Sequence, residues 1–137
     1  MRIIFFVEGQ PKSTQTGHVV RSGGGRAIPM RLNPAWSSFC RLVAMQHRPE
    51  VPLAGPLAAE LLFLTRRPKR PGHPYPSRSD VENLAKGLLD AFQGVLYDND
   101  SQLVDVVLRK RWTLATEGVR VEVQTMSEQW SPEYKEI

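Results

Sequence analysis

Between Val81 and Phe92 the apolar residues recur at helical spacing. Val81, Leu84, Ala85, Leu88, Leu89 and Phe92 make one face, while Glu82, Asn83, Lys86, Asp90 and Gln93 take the other. Ser79 suits the N-cap and Gly94 the C′ position, so the spacing predicts a helix that begins at about Asp80 and stops before an acidic turn, Asp98-Asn99-Asp100. Arg2 to Val7 is apolar and β-prone and predicts a buried strand. Asn33-Pro34 opens a second helix, with Asn as cap and Pro at the first helical position. Trp36, Phe39, Cys40, Val43, Ala44 and His47 share its apolar face, and Pro49 and Pro52 end the segment. Leu57 to Leu64 is too short for periodicity to separate strand from helix; its length and Pro56 before it favour a strand. Leu103 to Trp112, rich in Val and Leu, predicts a strand. Val119, Val121 and Val123, alternating with Arg120, Glu122 and Gln124, predict a half-exposed one. These two are expected to pair as an antiparallel hairpin across Gly118. The order β-α-β-α-β-β gives an α+β fold, a small mixed sheet covered by two helices. It forms one domain over residues 1–137, with 127–137 a loosely held tail.

Two long polar segments interrupt this pattern. Gly9-Gln10-Pro11-Lys12 breaks the first strand, and a glycine-rich basic stretch containing Gly23-Gly24-Gly25 follows. A loop of that length inside a small domain is functional or mobile. No Gly-Lys-Ser or Gly-Lys-Thr follows the glycines, so it is not a phosphate loop. From Thr65 to Arg78 four prolines keep the chain extended, and five basic side chains arrive just before Asp80. Within it, His73 and Tyr75 are candidates to stack on a base or a sugar.

Charge sharpens the reading. The net charge is only +4, but its distribution is uneven. No acid lies between Glu8 and Glu50, where Lys12, Arg21, Arg26, Arg31, Arg41 and Arg48 do. None lies between Glu60 and Asp80, where Arg66, Arg67, Lys69, Arg70 and Arg78 do. Acids then crowd from Asp80 to Asp105. Basic flanks around an acidic island suggest a polyanion held near a metal site, with two solvated surface loops as the plainer account. The single cysteine, Cys40, excludes an internal disulfide, sits at core-like spacing, and makes a reducing cytoplasm the expected compartment. No apolar run approaches a membrane span and no secretory leader pattern is visible, so no membrane partner is expected.

If the chain comes back along the helix after the acidic turn, Asp100 approaches Asp80 and Glu82. Crowded carboxylates repel and require a cation or basic neighbours. Magnesium takes a few carboxylates together with water and phosphate oxygens. Such an ion polarises a phosphodiester and acidifies water, and Lys86 is placed to neutralise developing charge. Each piece also has a plain structural account. Ser79 with Glu82 reads as a capping box, Asp80 as a helix-dipole partner, Glu82–Lys86 and Lys86–Asp90 as surface ion pairs. Asp98-Asn99-Asp100 reads as a polar turn and fails as a calcium hand, lacking Gly at the sixth position and Glu at the twelfth. His47 has no second His or Cys at ligand spacing and reads as a boundary residue.

Asp80-Val81-Glu82-Asn83-Leu84-Ala85-Lys86, then Leu89-Asp90-Ala91-Phe92-Gln93-Gly94-Val95-Leu96, then Asn99-Asp100-Ser101-Gln102 closely resembles the RusA family of Holliday-junction resolvases. The family pattern is Asp-x-Asp-Asn-x-x-Lys, a Leu-Asp-Ala-Leu-Asn-Gly-like stretch, and Asp-Asp-x-Gln. The resemblance is strong over about residues 78 to 112, and Gly9-Gln10-Pro11-Lys12 looks like the family's N-terminal Gly-x-Pro-x-Lys segment. It implies a homodimeric, magnesium-dependent endonuclease, with manganese as the substitute cation, that nicks opposing strands of a four-way DNA junction in recombination and repair. By matching position it implies that Asp80, Glu82 and Asp100 bind the metal, that Lys86 is the catalytic lysine and that Asn83 orients the site. Lys12, Arg26, Arg31, Arg66, Arg67, Lys69 and Arg70 are expected to hold backbone phosphates. Glu82 stands where the family commonly has Asp, and Asn99 where a second acid is common. These departures support a second reading, a non-catalytic junction-binding protein with a decayed metal site. A third is a nuclease acting on flaps or other branched DNA.

Overall fold

Leu57–Arg66 is apolar on both faces: Leu57, Ala59, Leu61 and Phe63 are buried, and Ala58, Leu62 and Leu64 are half-buried behind them. A strand of that kind belongs at the centre of a sheet, with neighbours on both edges. The computed structural model describes residues 1–13, 15–16, 20–21, 27–28, 31–32 and 34–134. In chain order these form β1 (Arg2–Glu8), the two-residue strands β2 (Gln15–Thr16), β3 (Val20–Arg21), β4 (Ala27–Ile28) and β5 (Arg31–Leu32), helix α1 (Pro34–Gln46), β6 (Leu57–Arg66), helix α2 (Val81–Ala91), a 3-10 turn (Asp100–Gln102), β7 (Leu103–Thr113) and β8 (Gly118–Thr125). The main sheet has the order β1-β8-β6-β7; β2 pairs with β5, and β3 with β4. The expected α+β architecture and element order are present.

The expected hairpin is not. β7 runs parallel to β6 on one side, with Leu61 opposite Leu108. β8 runs antiparallel to β6 on the other, with Leu61 opposite Val121. β1 completes the sheet outside β8, Phe5 opposite Val121. Residues 114–117 therefore carry the chain across the end of β6. Burial decides the pairing: β7 and β8 are each half polar, and flanking the apolar β6 removes more surface from water than pairing with each other. Gly118, where β8 starts, lies so close to β1 that an added Cβ would stand 2.2 Å from the Val7 carbonyl oxygen.

Both helices cover one face of this sheet. Ile3, Phe5 and Val7 of β1 and Val119, Val121 and Val123 of β8 point into the core with the inner residues of β6. Trp36, Cys40 and Ala44 of α1 and Leu84, Ala85 and Leu88 of α2 meet them. The buried stripe of α1 is narrower than its periodicity suggests, because Phe39 and His47 are exposed; the His47 ring stacks on Phe5 with centroids 5.0 Å apart. Burial pushes the Cys40 thiol up to about 12, which keeps it protonated and fits a packing role. Pro34 is the first residue of α1; Asn33, expected to cap it, lies outside the described residues, as do 135–137 of the expected tail. Residues 127–134 carry neither helix nor strand.

Two outcomes test this account. Gly118→Ala forces β1 and β8 apart, and its denaturant midpoint should fall by the equivalent of roughly 3 kcal/mol. On the open face of the sheet, the guanidinium of Arg2, helped by that of Arg120, holds the Glu122 carboxyl below the usual carboxylate range. That stabilisation is present above the ordinary Glu value and is lost as pH falls through the folded one. The stability gap between the wild type and Glu122→Gln should therefore stay below about 1 kcal/mol at neutral pH, since Arg2 is largely exposed. It should close in thermal melts between about pH 5 and pH 3.

Candidate active site

The acidic start of α2 is fixed by a cap. Asp80, in extended conformation at φ −76 and ψ 156, accepts the Asn83 backbone N–H on Oδ1 at 3.0 Å. The cap is thus Asp80 and not Ser79, whose carbonyl instead accepts the Lys110 ammonium at 2.7 Å. Both residue types suit the position; a carboxylate at the positive end of the helix dipole has the additional charge term. Glu82, Asn83 and Lys86 follow on the exposed side of the first two turns.

What happens at the other end of α2 decides where Asp100 goes. The helix ends at Ala91 with Phe92 as C-cap, so Gly94, left-handed at φ 78, stands two residues past the cap. Arg41 of α1 donates to the carbonyls of Ala91 and Gln93 at 2.7 and 2.8 Å, supplying the positive charge that the last turn of α2 lacks. Val95, Leu96 and Tyr97 are then buried. The Tyr97 hydroxyl donates to the Leu89 carbonyl at 2.7 Å, and burial, with Asp100 and Asp90 nearby, pushes the phenol up. The chain thereby returns along the helix. Gln102 accepts the N–H groups of Asp98 and Asn99 on Oε1, and through Nε2 donates to the carbonyls of Leu53 and Gly55 at 2.9 and 3.0 Å. Asn99 accepts the Ser101 N–H at 2.8 Å, and the Asp100 N–H donates to Gln93 Oε1 at 3.0 Å.

The carboxyl group that Asp100 meets is that of Asp90. Burial, then the Asp100 charge, then a hydrogen bond with Asp100 raise Asp90 above the usual carboxylate range, and Lys86 acts against them. Lys86 lies between Glu82 and Asp90 at helical spacing, with Asp80 at the cap beyond. Among the described residues no three His, Cys, Asp or Glu side chains form a group arranged to hold a metal ion. None of Asp80, Glu82, Asp90 and Asp100 is in an ion pair among the described residues. Carboxylates are the donors a hard divalent cation takes, together with water and phosphate oxygens. The expected group of Asp80, Glu82 and Asp100 is nevertheless not assembled among the described residues: Asp80 and Glu82 stand at the start of α2, and Asp100 beside Asp90 near its end.

The basic segment leads straight into this acidic start. Arg66, Arg67, Lys69, Arg70 and Arg78 are exposed, and none is in an ion pair among the described residues. The Arg66 guanidinium donates to the Ala115 carbonyl at 2.9 Å, and its backbone N–H to Glu117 Oε1. His73 and Tyr75 stack on each other at 5.6 Å, and the Trp112 indole N–H donates to the His73 carbonyl at 3.4 Å. Lys12 is exposed; Arg26 lies outside the described residues, and Arg31 is described only as backbone of β5. In the sequence Asp90 shows only as an ion-pair partner of Lys86. The stripe Glu82, Lys86, Asp90, Gln93 at helical spacing is the signal that points to a longer polar seam. No sequence pattern marks Lys110 or Trp112.

A family model described as Endodeoxyribonuclease RusA matches residues 8–124, from the end of β1 to the end of β8. The chain is also similar to the "Uncharacterized protein YqaN" of Bacillus subtilis (strain 168), at 30% identity over 133 residues that cover 85% of each protein. The brace under the acidic turn is testable in the folded protein itself. Gln102→Ala removes contacts to four backbone groups. It should lower unfolding free energy by about 2 kcal/mol in urea titration and increase hydrogen exchange at Asp98 to Ser101 more than in the sheet.

Proposed function

The chain belongs to the RusA endodeoxyribonuclease family, and on that premise we propose that it is a divalent-metal-dependent endonuclease that resolves four-way DNA junctions by paired symmetric nicks in recombination and repair. The observation that carries this reading is the continuity of an exposed basic segment, ending at Arg78, with the carboxylates that begin at Asp80. A phosphate backbone lying on the first is delivered to the second.

In this reading Asp80, Glu82 and Asp100 hold the cation, magnesium or manganese. When bound, it polarises the phosphodiester and makes water a better nucleophile. Lys86 neutralises the charge that develops on the departing 3′-oxygen, so that the product carries a 5′-phosphate. Asn83 orients the first turn of α2, where its N–H already holds the Asp80 carboxylate. Lys12, Arg26, Arg31, Arg66, Arg67, Lys69 and Arg70 hold backbone phosphates. The protein acts as a homodimer, since a four-way junction offers two symmetry-related cuts and a two-fold assembly offers two matching sites. Its compartment is the cytoplasm; no described helix is long and apolar enough to cross a membrane.

A labelled four-way junction, incubated with and without magnesium, tests the proposal. Asp80→Asn, Asp100→Asn and Lys86→Ala should each lower the cleavage rate at least about 100-fold while gel-shift binding persists. Affinity should fall steeply with salt, and each removed phosphate-holding cation should reduce the slope by about one. Normal cutting by both Asp variants would place the chemistry elsewhere. Binding without any cut by the wild type would favour the non-catalytic reading.

A further inference from the structure

Beside the start of α2 the surface is hollowed into a cavity of about 350 Å³ whose walls include Gln10, Arg66, Arg78, Lys110, Trp112 and Glu117. Ser79 and Leu84 also line it, so it opens next to the Asp80 cap. Its charge is uneven. Arg66, Arg78 and Lys110 are in no ion pair among the described residues, and Glu117, the one acid among the described lining residues, already accepts the Arg66 backbone N–H at 2.9 Å. Arg78 is exposed, which leaves its guanidinium open to solvent. Trp112 is half-buried and anchored through its indole N–H to the His73 carbonyl, and Lys110 is anchored to the Ser79 carbonyl. The cavity thus combines a fixed aromatic ring, an amide able both to donate and to accept, and three cations without an ion-pair partner among the described residues, of which Arg66 and Lys110 are held by the backbone carbonyls of Ala115 and Ser79.

An anion alone needs no tryptophan, and an apolar ligand needs no three cations. An aromatic side chain beside cations is the combination that proteins use to hold an unstacked nucleotide, ring on base and cation on phosphate. The volume lies at the lower end of small-ligand pockets, about 300 to 1,000 Å³, which suits one nucleotide and excludes a duplex. We propose that this cavity receives a single unstacked nucleotide of the DNA strand beside the cut, its base against Trp112, its phosphate on Arg66 and Arg78, and its base edge read by Gln10. Unstacking is least costly where pairing is already interrupted, as at the branch point of a junction. The inference rests on the DNA-cleaving reading above and adds to it the source of a nucleotide preference at the cut. That preference is set by α2's neighbours and not by its carboxylates.

The test has two arms. In the first, 2-aminopurine is placed singly at each position flanking the branch point, with calcium in place of magnesium to prevent cutting. One position should change fluorescence on binding wild type, keep the change with Trp112→Phe, and lose it with Trp112→Ala and Arg78→Gln. The Trp112→Ala variant should also lose at least about tenfold of the rate difference between junctions that differ only at that nucleotide. Arg78→Gln, on an exposed side chain, carries the arm if Trp112→Ala does not fold. In the second arm the four deoxynucleoside 5′-monophosphates are titrated into the intact protein and the indole N–H signals are followed. Trp112 should shift while Trp36 and Trp130 stay, and Arg78→Gln should abolish the shift. Cutting by the wild type with fluorescence profiles identical in all variants would overturn the pocket and leave the junction reading standing. A Trp112 shift in a protein that neither binds nor cuts junctions would do the reverse. No response in either arm would overturn the pocket.

Discussion

The position of the acidic turn depends on one buried hydroxyl. Tyr97 is fully enclosed, and a phenol removed from water needs a partner, which the Leu89 carbonyl supplies. Because that acceptor lies two residues before the helix ends, the segment after Gly94 must fold back along α2 and cannot run away from it. Val95 and Leu96 fill the space between, and Arg41 closes the helix end over which the chain turns. Asp100 arrives beside Asp90 as a consequence. The turn is braced by neutral amides, Gln93 and Gln102. Its negative charges are therefore left uncompensated by any ion pair among the described residues.

Much of this was legible from periodicity. The apolar face of α2, the alternation in β8 and the short apolar run of β6 each predict the element that forms, because local spacing and core packing agree there. Pairing was less legible. The hairpin expectation for β7 and β8 follows from closeness in sequence, whereas β6 wins both partners through the burial of its two apolar faces. Ser79 and Asp80 are both good caps one residue apart, and only the Asn83 N–H chooses between them. A return of the chain along α2 was readable, but the expected partners of Asp100 were Asp80 and Glu82, and the described residues bring no three such carboxylates together. The meeting of Asp100 with Asp90 was not readable, since that register is set by the depth at which Tyr97 sits.

The two faces of the sheet use charge in opposite ways. Arg2, Arg120 and Arg109 are paired with Glu122 and Glu60 on the open face, where solvent-screened pairs add little but keep apolar residues such as Ile4 and Phe6 from forming a continuous patch. On the covered face, Lys110 and Trp112 of β7 instead point toward the basic segment before α2. The basic segment and the acidic helix start are neighbours in sequence, yet they do not neutralise each other: the Asp80 carboxylate is taken by a backbone N–H and the arginines stay unpaired. An external polyanion therefore meets cations that, among the described residues, have no internal ion pair to give up.

The sheet order has a further consequence for how the molecule is made. β1 pairs only with β8 in the main sheet, Ile3 against Val123 and Phe5 against Val121. The earliest described strand to leave the ribosome thus waits for the latest. Until Gly118–Thr125 is synthesised, Ile3, Phe5 and Val7 have no ladder to join and β6 lacks one of its two neighbours. A nascent chain of this topology keeps its most apolar strands unsatisfied through most of translation, and final closure is a non-local, entropically slow event.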